Sequence, residues 1–209
     1  MRLLLRTSVA LIAASFAASP AFAFEIEGTA GSQLEATEIA SFDQPWSMTF
    51  LPDDTMLVTT KPGSIFHVEA DGRSTQIGGM FEVAYGGQGG LGDVVPHPDF
   101  ANNNRIYISF AEASDDRSTF GAVVVSATLD TSGSTPTLMN VQRVWEQQPK
   151  VRGQGHYSHR IAFGPKGSVQ DGKLFITSGD RQKQRPAQDR DGNQGKVIRL
   201  NADGSVPTD

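Results

Sequence analysis

One stretch decides the fold of this chain: Pro45-Trp46-Ser47-Met48-Thr49-Phe50-Leu51-Pro52-Asp53-Asp54. Its large apolar side chains alternate with small polar ones, a period of two that predicts a β-strand with one buried face. The Pro-Asp-Asp at its end predicts a turn. Residues 55–60 and 64–68 then predict two more strands of an antiparallel sheet.

The same unit of strand, proline-containing turn and strand returns twice along the chain. It recurs at Leu91-Gly92-Asp93-Val94-Val95-Pro96-His97-Pro98-Asp99, followed by strands at 105–110 and 122–129. It recurs again at Arg160-Ile161-Ala162-Phe163-Gly164-Pro165-Lys166-Gly167, followed by strands at 173–178 and 196–200. A repeated unit of short antiparallel strands is typical of β-propeller blades. A β-sandwich with similar hairpins is the alternative, but a proline at the same place in all three units favours the all-β propeller.

The number of units bears on the extent of the chain. A propeller closes with roughly four to eight blades, whereas about three are visible here. We therefore expect residues 24–209 to be the N-terminal part of a propeller domain that is incomplete at its C-terminus, either a fragment of a longer protein or a truncated product.

The first residues predict an export signal. Arg2 and Arg6 precede a short apolar run, and Ala21-Phe22-Ala23 is a small-x-small cleavage site, so residues 1–23 form a predicted signal peptide with the mature chain starting at Phe24. The apolar run is too short for a comfortable membrane span. We expect a periplasmic or secreted protein that is soluble and has no membrane span.

The composition narrows the possible partners. The net charge of −5 argues against nucleic acid or an anionic membrane surface as a partner. The chain has no cysteine, so its core or a ligand must hold it together without disulfides. Its 22 glycines and 11 prolines, without a long helical periodicity, indicate many turns.

Two motifs suggest functions that their context does not support. Gly87-Gln88-Gly89-Gly90-Leu91-Gly92 has the spacing of a dinucleotide-binding loop, but the prolines that soon follow prevent the helix which that site needs. We interpret it as a loop where the backbone approaches something closely. Asp189-Arg190-Asp191-Gly192-Asn193 resembles a calcium loop but lacks the glycine and glutamate positions of an EF-hand, so only an irregular calcium site is left open.

One stretch combines glycines, two histidines and an arginine: Gly153-Gln154-Gly155-His156-Tyr157-Ser158-His159-Arg160. Glycines let the backbone come close to a ligand, and an imidazole exchanges protons near neutral pH. His156 is therefore a candidate proton acceptor. A zinc site at His156 and His159 lacks further ligands, and no nucleophile elbow is present to support a hydrolase.

These segments together resemble the soluble PQQ-dependent sugar dehydrogenases, the aldose and glucose/sorbosone dehydrogenase family (PQQ is pyrroloquinoline quinone). The resemblance covers nearly all of the chain after residue 23, and the matching segments are, in order, Pro45-Trp46 through Pro52-Asp53, Gly87 through Phe100, His156 through Pro165, Ser178-Gly179-Asp180, and Gly195 through Pro207.

The resemblance implies a six-bladed propeller and an enzyme that oxidises an aldose at C1 to the lactone. It places His156 at the catalytic base, Asp180 at a carboxylate beside that base, and Gln88 and His156 at the PQQ site. It also implies a sugar substrate, an external electron acceptor, and Ca²⁺ whose ligands lie beyond the end of this chain. The alternative is a non-catalytic propeller that binds carbohydrate or a protein partner.

Two positions depart from the family pattern. Gly155 stands where glucose-type members carry aspartate, which removes a contact and brings a preference for glucose into question. His159 stands where a small residue is usual, so we expect it to narrow the pocket.

Overall fold

The computed structural model describes residues 23–209. The signal peptide expected at residues 1–23 lies outside the described residues apart from Ala23. Its cleavage therefore stays a prediction.

Residues 23–39 form a small unit of their own, separate from Ala40–Asp209. This unit is an antiparallel hairpin of strands β1 (Ala23–Glu27) and β2 (Gln33–Thr37). A tight turn joins the two strands, because Gly31 has a φ of 77° and its N–H donates to the carbonyl of Gly28.

The larger unit consists of three antiparallel sheets in which successive strands are neighbours. The first contains β3 (Pro45–Phe50), β4 (Met56–Thr60), β5 (Ser64–Val68) and β6 (Ser74–Gln76). The second contains β7 (Leu91–Pro96), β8 (Arg105–Ala113), β9 (Phe120–Asp130) and β10 (Thr137–Glu146). The third contains β11 (Ser158–Phe163), β12 (Lys173–Ser178) and β13 (Lys196–Asn201). A four-residue helix, α1 (Phe100–Asn103), and a 3₁₀ turn, Arg185–Ala187, complete the elements.

The first strands of the three sheets meet one another. Strand β7 packs against β3 on one side and against β11 on the other. Sheets whose first strands converge while their later strands diverge are arranged as propeller blades. The all-β propeller prediction, with about three blades in this chain, is confirmed.

Two apolar clusters hold these blades together. One joins the first and second sheets through side chains such as Leu57, Leu91 and Ile108. The other joins the second and third sheets around Tyr107 and Ile176. Both clusters lie between sheets, so each blade is stabilised by its neighbours.

The prediction of a buried apolar face on β3 is wrong for the described residues. Trp46, Met48 and Phe50 are all exposed, and the polar side chains between them are partly buried. The reason is that Ser47 faces β7, where its hydroxyl donates to the Asp93 carboxylate at 2.6 Å. The apolar face therefore points away from the second sheet.

Residues 23–209 contain no helix that is long and apolar enough to cross a membrane. Their α-helix has four residues, whereas a spanning helix needs about twenty.

Candidate active site

A cavity of about 490 Å³ lies where loops of the three blades converge. Its size is within the range of about 300–1,000 Å³ that is usual for small-molecule sites. Another cavity, of about 560 Å³, is lined by charged groups that pair with one another, among them Glu112 with Arg143 and Lys150. The smaller cavity is the candidate site because it contains His156 and Asp180, whose side chains can exchange protons. It is lined by Trp46, Gln88, His156, Tyr157, Ser158, His159, Gly179 and Asp180.

The central pair of the cavity is His156 and Asp180. The Nδ1 atom of His156 lies 2.8 Å from Oδ1 of Asp180. The hydrogen bond from His156, with help from the Gln182 N–H, lowers the pKa of Asp180, so this side chain is a carboxylate that can only accept. Nδ1 therefore donates the hydrogen, and Nε2 keeps the lone pair that can take up a proton.

Gln88 holds the backbone of the same histidine. Its Oε1 accepts the N–H of His156 at 2.7 Å, and its own N–H donates to the carbonyl of Gln154 at 2.7 Å. A side chain at Gly86 or Gly87 would overlap Gln154. The interpretation of the glycine-rich loop as a place of close backbone approach is confirmed, and the approaching segment is the loop that carries His156.

The backbone around the pair is strained. His156, Ser158 and Arg181 have φ angles of 47°, 61° and 56°, in the left-handed region that non-glycine residues rarely adopt. Next to them, a side chain at Gly179 would overlap the backbone carbonyl of His156. Strain of this kind persists only where surrounding contacts enforce it, and it is concentrated at functional sites.

His159 is fully packed beneath the cavity, with 2% of its surface exposed. The Asp93 N–H donates to Ser109 Oγ at 2.8 Å, so the hydroxyl hydrogen of Ser109 is available to His159 Nδ1, also at 2.8 Å. The imidazole lies parallel to the Trp46 ring, with centroids 6.5 Å apart. A side chain at Gly92 would overlap this imidazole, so Gly92 makes the room that His159 occupies.

Burial lowers the pKa of His159 to about 4, against an opposing attraction from Asp93. This imidazole is therefore neutral near pH 7. With Nδ1 accepting from Ser109, its one hydrogen lies on Nε2.

A buried carboxylate joins the first strands of all three sheets below the cavity. Asp93 on β7 accepts from Ser47 on β3 at 2.6 Å, and from Arg160 and the Ile161 N–H on β11, both at 2.9 Å. One side chain thus fixes the three strands from which the cavity-forming loops extend.

The three residues predicted from the resemblance, Gln88, His156 and Asp180, lie together in one cavity. Their roles in catalysis stay predictions. Sequence reasoning missed Trp46 as a cavity residue because its alternating pattern was assigned to the core. It also missed the buried Arg181, whose only signal was its place directly after Asp180.

No group of three His, Cys, Asp or Glu side chains is arranged to hold a metal within residues 23–209. In the calcium-like loop, the Asn193 side chain is used structurally, since it accepts from the Gln148 N–H at 2.7 Å and donates to the Glu146 carbonyl at 2.9 Å.

Comparisons with known proteins agree with this architecture. Residues 42–209 match the family described as glucose/sorbosone dehydrogenase. An aldose sugar dehydrogenase of Escherichia coli is 38% identical over 169 residues, which are 80% of this chain and 43% of that relative. The chain therefore spans less than half the length of this relative.

Solved structures give the same result. The apo form of the soluble aldose sugar dehydrogenase from Escherichia coli superposes with a TM-score of 0.72 at 36% identity, covering 80% of this chain and 46% of that one. The PQQ-bound aldose sugar dehydrogenase from Streptomyces coelicolor superposes with a TM-score of 0.69 at 29% identity, covering 79% and 47%.

Fold and sheet order define the class: this is a β-propeller, with the candidate site where the first strands of its blades converge. Within that class, the chain belongs to the glucose/sorbosone dehydrogenase family.

Proposed function

We propose that this chain forms part of a PQQ-dependent dehydrogenase that oxidises an aldose at C1 to the lactone, with His156 as the general base. The observation that carries the proposal is the His156–Asp180 pair, 2.8 Å apart, beside Gln88 in one cavity. The relatives named above as aldose sugar dehydrogenases support the substrate class.

The chemistry required of His156 follows from the reaction. Oxidation of C1–OH to the lactone removes a proton from oxygen and a hydride from carbon. Nε2 of His156 accepts the proton, because Nδ1 already donates to Asp180. The negative charge of Asp180 stabilises the imidazolium that results. A positioned base of this kind contributes about 10²- to 10⁴-fold to the rate.

The described residues fit a planar quinone with carbonyl oxygens. When bound, PQQ supplies the acceptor for the hydride from C1. Gln88 uses its Oε1 on the His156 N–H, which leaves its amide Nε2 free to donate to a quinone oxygen. Trp46 is 44% exposed and lines the cavity, where its ring offers an apolar surface. The PQQ-bound relative supports this assignment.

We assign no step to calcium. The resemblance places its ligands beyond residue 209, and the described residues gather no metal site of their own. Calcium stays a prediction of the resemblance.

Two residues of the site suggest a substrate preference different from that of glucose-type members. The Gln182 side chain occupies the space that a side chain at Gly155 would need, so the carboxylate that the resemblance places at position 155 of glucose-type members is absent here. His159 fills the floor beside Gly92 with a neutral ring. We propose that these residues shape the pocket for an aldose other than glucose.

We also propose that the protein is exported to the periplasm or secreted, with cleavage after Ala23 and the propeller blades in Ala40–Asp209. The charged start, apolar run and small-x-small site support this. N-terminal sequencing of the protein from its host tests it, and an intact Met1 on the cytoplasmic protein would refute it.

The activity is tested with the full-length protein that contains this chain. Apoprotein is titrated with PQQ in the presence of Ca²⁺, and aldose-dependent reduction of a redox dye is recorded for a panel of aldoses. We expect dye reduction that saturates with PQQ and yields the lactone. Sugar binding by calorimetry without any PQQ-dependent dye reduction would refute the enzyme and favour a carbohydrate-binding propeller.

A further inference from the structure

Arg181 is an unusual residue for the interior, because its side chain is 1% exposed and no carboxylate of residues 23–209 pairs with it. Its Nε–H donates to the carbonyl of Gly155 at 2.8 Å. Its terminal N–H groups donate to the carbonyls of Gly153 and Phe120, each at 2.5 Å. The guanidinium carbon lies 3.7 Å from the centre of the Tyr157 ring.

These hydrogen bonds join the loop that carries His156 to the second blade. Gly153 and Gly155 belong to that loop, whereas Phe120 begins β9. Among the described residues, no backbone N–H donates to the carbonyl of Gly153 or Gly155. Gly155 is buried, so its carbonyl oxygen would lack a hydrogen-bond partner without Arg181, whereas Gly153 is exposed.

The shape of the guanidinium explains why arginine is required here. Carbonyl oxygens converge on Arg181 from two segments, and a planar fork with five N–H donors can bond to all of them at once. A lysine has one ammonium on a flexible stem and reaches fewer of these oxygens. Burial lowers the pKa of Arg181, yet the three carbonyls and the Tyr157 ring face solvate its charge.

We propose that Arg181 is a positioning residue for His156. Its guanidinium clamps the loop at Gly153 and Gly155, and so enforces the left-handed backbone, φ 47°, that directs the His156 imidazole to Asp180 and the substrate. This inference rests on the proposed role of His156 as the base. It assigns Arg181 no contact with sugar or quinone.

If Arg181 clamps the loop, Arg181→Lys and Arg181→Met should each lower the turnover of the full-length protein by a defined factor. Misplacing a catalytic group by about 1 Å can cost roughly 100-fold in rate. We expect turnover to fall about 10-fold in Arg181→Lys and about 100-fold in Arg181→Met. Hydrogen–deuterium exchange of the peptide spanning 153–159 should accelerate in both variants while the other strands stay protected.

A double-mutant cycle separates positioning from general destabilisation. In a His156→Ala background, Arg181→Lys should lower turnover less than twofold, because the group it positions is gone. The matched controls are Arg143→Lys and Arg143→Met, at an arginine that pairs with Glu112 away from the cavity. Both should keep near-normal turnover and exchange of 153–159.

The outcomes are distinct for the two proposals. Equal fold losses in the wild-type and His156→Ala backgrounds, or unchanged exchange of 153–159, would overturn the positioning role. If neither Arg181 variant folds while both Arg143 variants do, Arg181 serves the fold as a whole and the proposal is also overturned. If His156→Ala keeps full turnover, the proposed base is wrong, whereas the exchange of 153–159 still decides whether Arg181 clamps the loop.

Discussion

The buried His159 makes the stability of the protein depend on pH in a defined window. Burial lowers the pKa of His159 to about 4 from 6.5. Asp93 opposes this shift, whereas Arg160 and Arg181 reinforce it. Between these two values the unfolded chain binds a proton that the folded chain excludes, so the free energy of unfolding rises with pH. The stabilisation is complete above pH 6.5 and is lost as the pH falls toward 4.

The magnitude follows from the two pKa values. One pKa unit corresponds to about 1.4 kcal/mol, so the full range between 6.5 and about 4 is worth about 3 kcal/mol. From pH 7 to pH 5 the free energy of unfolding should fall by about 2 kcal/mol through this residue alone. The lowered pKa of Asp180 lies below 3.8 and acts only at more acidic pH, since its stabilisation is lost as the pH falls through that lower value.

The matched variant is His159→Asn. Asparagine does not titrate, its Oδ1 can accept from Ser109, and it tolerates the left-handed backbone at this position, φ 49°. Chemical denaturation at pH 5, 6 and 7 measures the free energy of unfolding of both proteins. The difference between them should shrink by about 2 kcal/mol from pH 7 to pH 5. Parallel pH dependences would show that His159 is not a buried neutral imidazole and would refute the reasoning.

Two further substitutions probe the cavity. Gly179→Ala places a methyl group against the His156 carbonyl, so turnover should fall about 100-fold in the dye assay. Its control is Gly192→Ala, which should leave turnover unchanged because Gly192 has open space around it and no left-handed φ. Equal turnover in the two variants would contradict the packing of Gly179 against His156. Gln88→Ala removes both the acceptor for the His156 N–H and the free amide. PQQ titration should therefore show that cofactor binding is weakened more than turnover at saturating PQQ. A loss confined to turnover would contradict the assignment of Gln88 to the PQQ site.

Much of the fold was predictable because period-two patterns and proline turns are local signals. The strands at 64–68 and 173–178 were predicted with the bounds that the structure shows. Strand β6 was missed because its three residues, Ser74–Gln76, are polar and exposed. Strand β10 was missed because two register shifts and the left-handed Asn140 interrupt its alternation.

The site was predictable only in part. The family resemblance indicated His156, Asp180 and Gln88, and their proximity in space is a property of the fold. Arg181 could not be recognised, because an arginine in a polar loop is ordinarily solvent-exposed. Its burial depends on carbonyls from Gly153 and Phe120, which are distant in the sequence.

The central claim is that His156 takes the proton from the sugar, and turnover of His156→Ala in the full-length, PQQ-loaded protein tests it most directly. Aldose-dependent dye reduction and PQQ affinity are measured for this variant and for a control, His97→Ala. His97 packs against Tyr107 and Phe163 outside the cavity. The account predicts that His156→Ala lowers turnover by about 10²- to 10⁴-fold while PQQ affinity changes much less, and that His97→Ala keeps near-normal turnover. Near-normal turnover of His156→Ala at saturating PQQ would contradict the account.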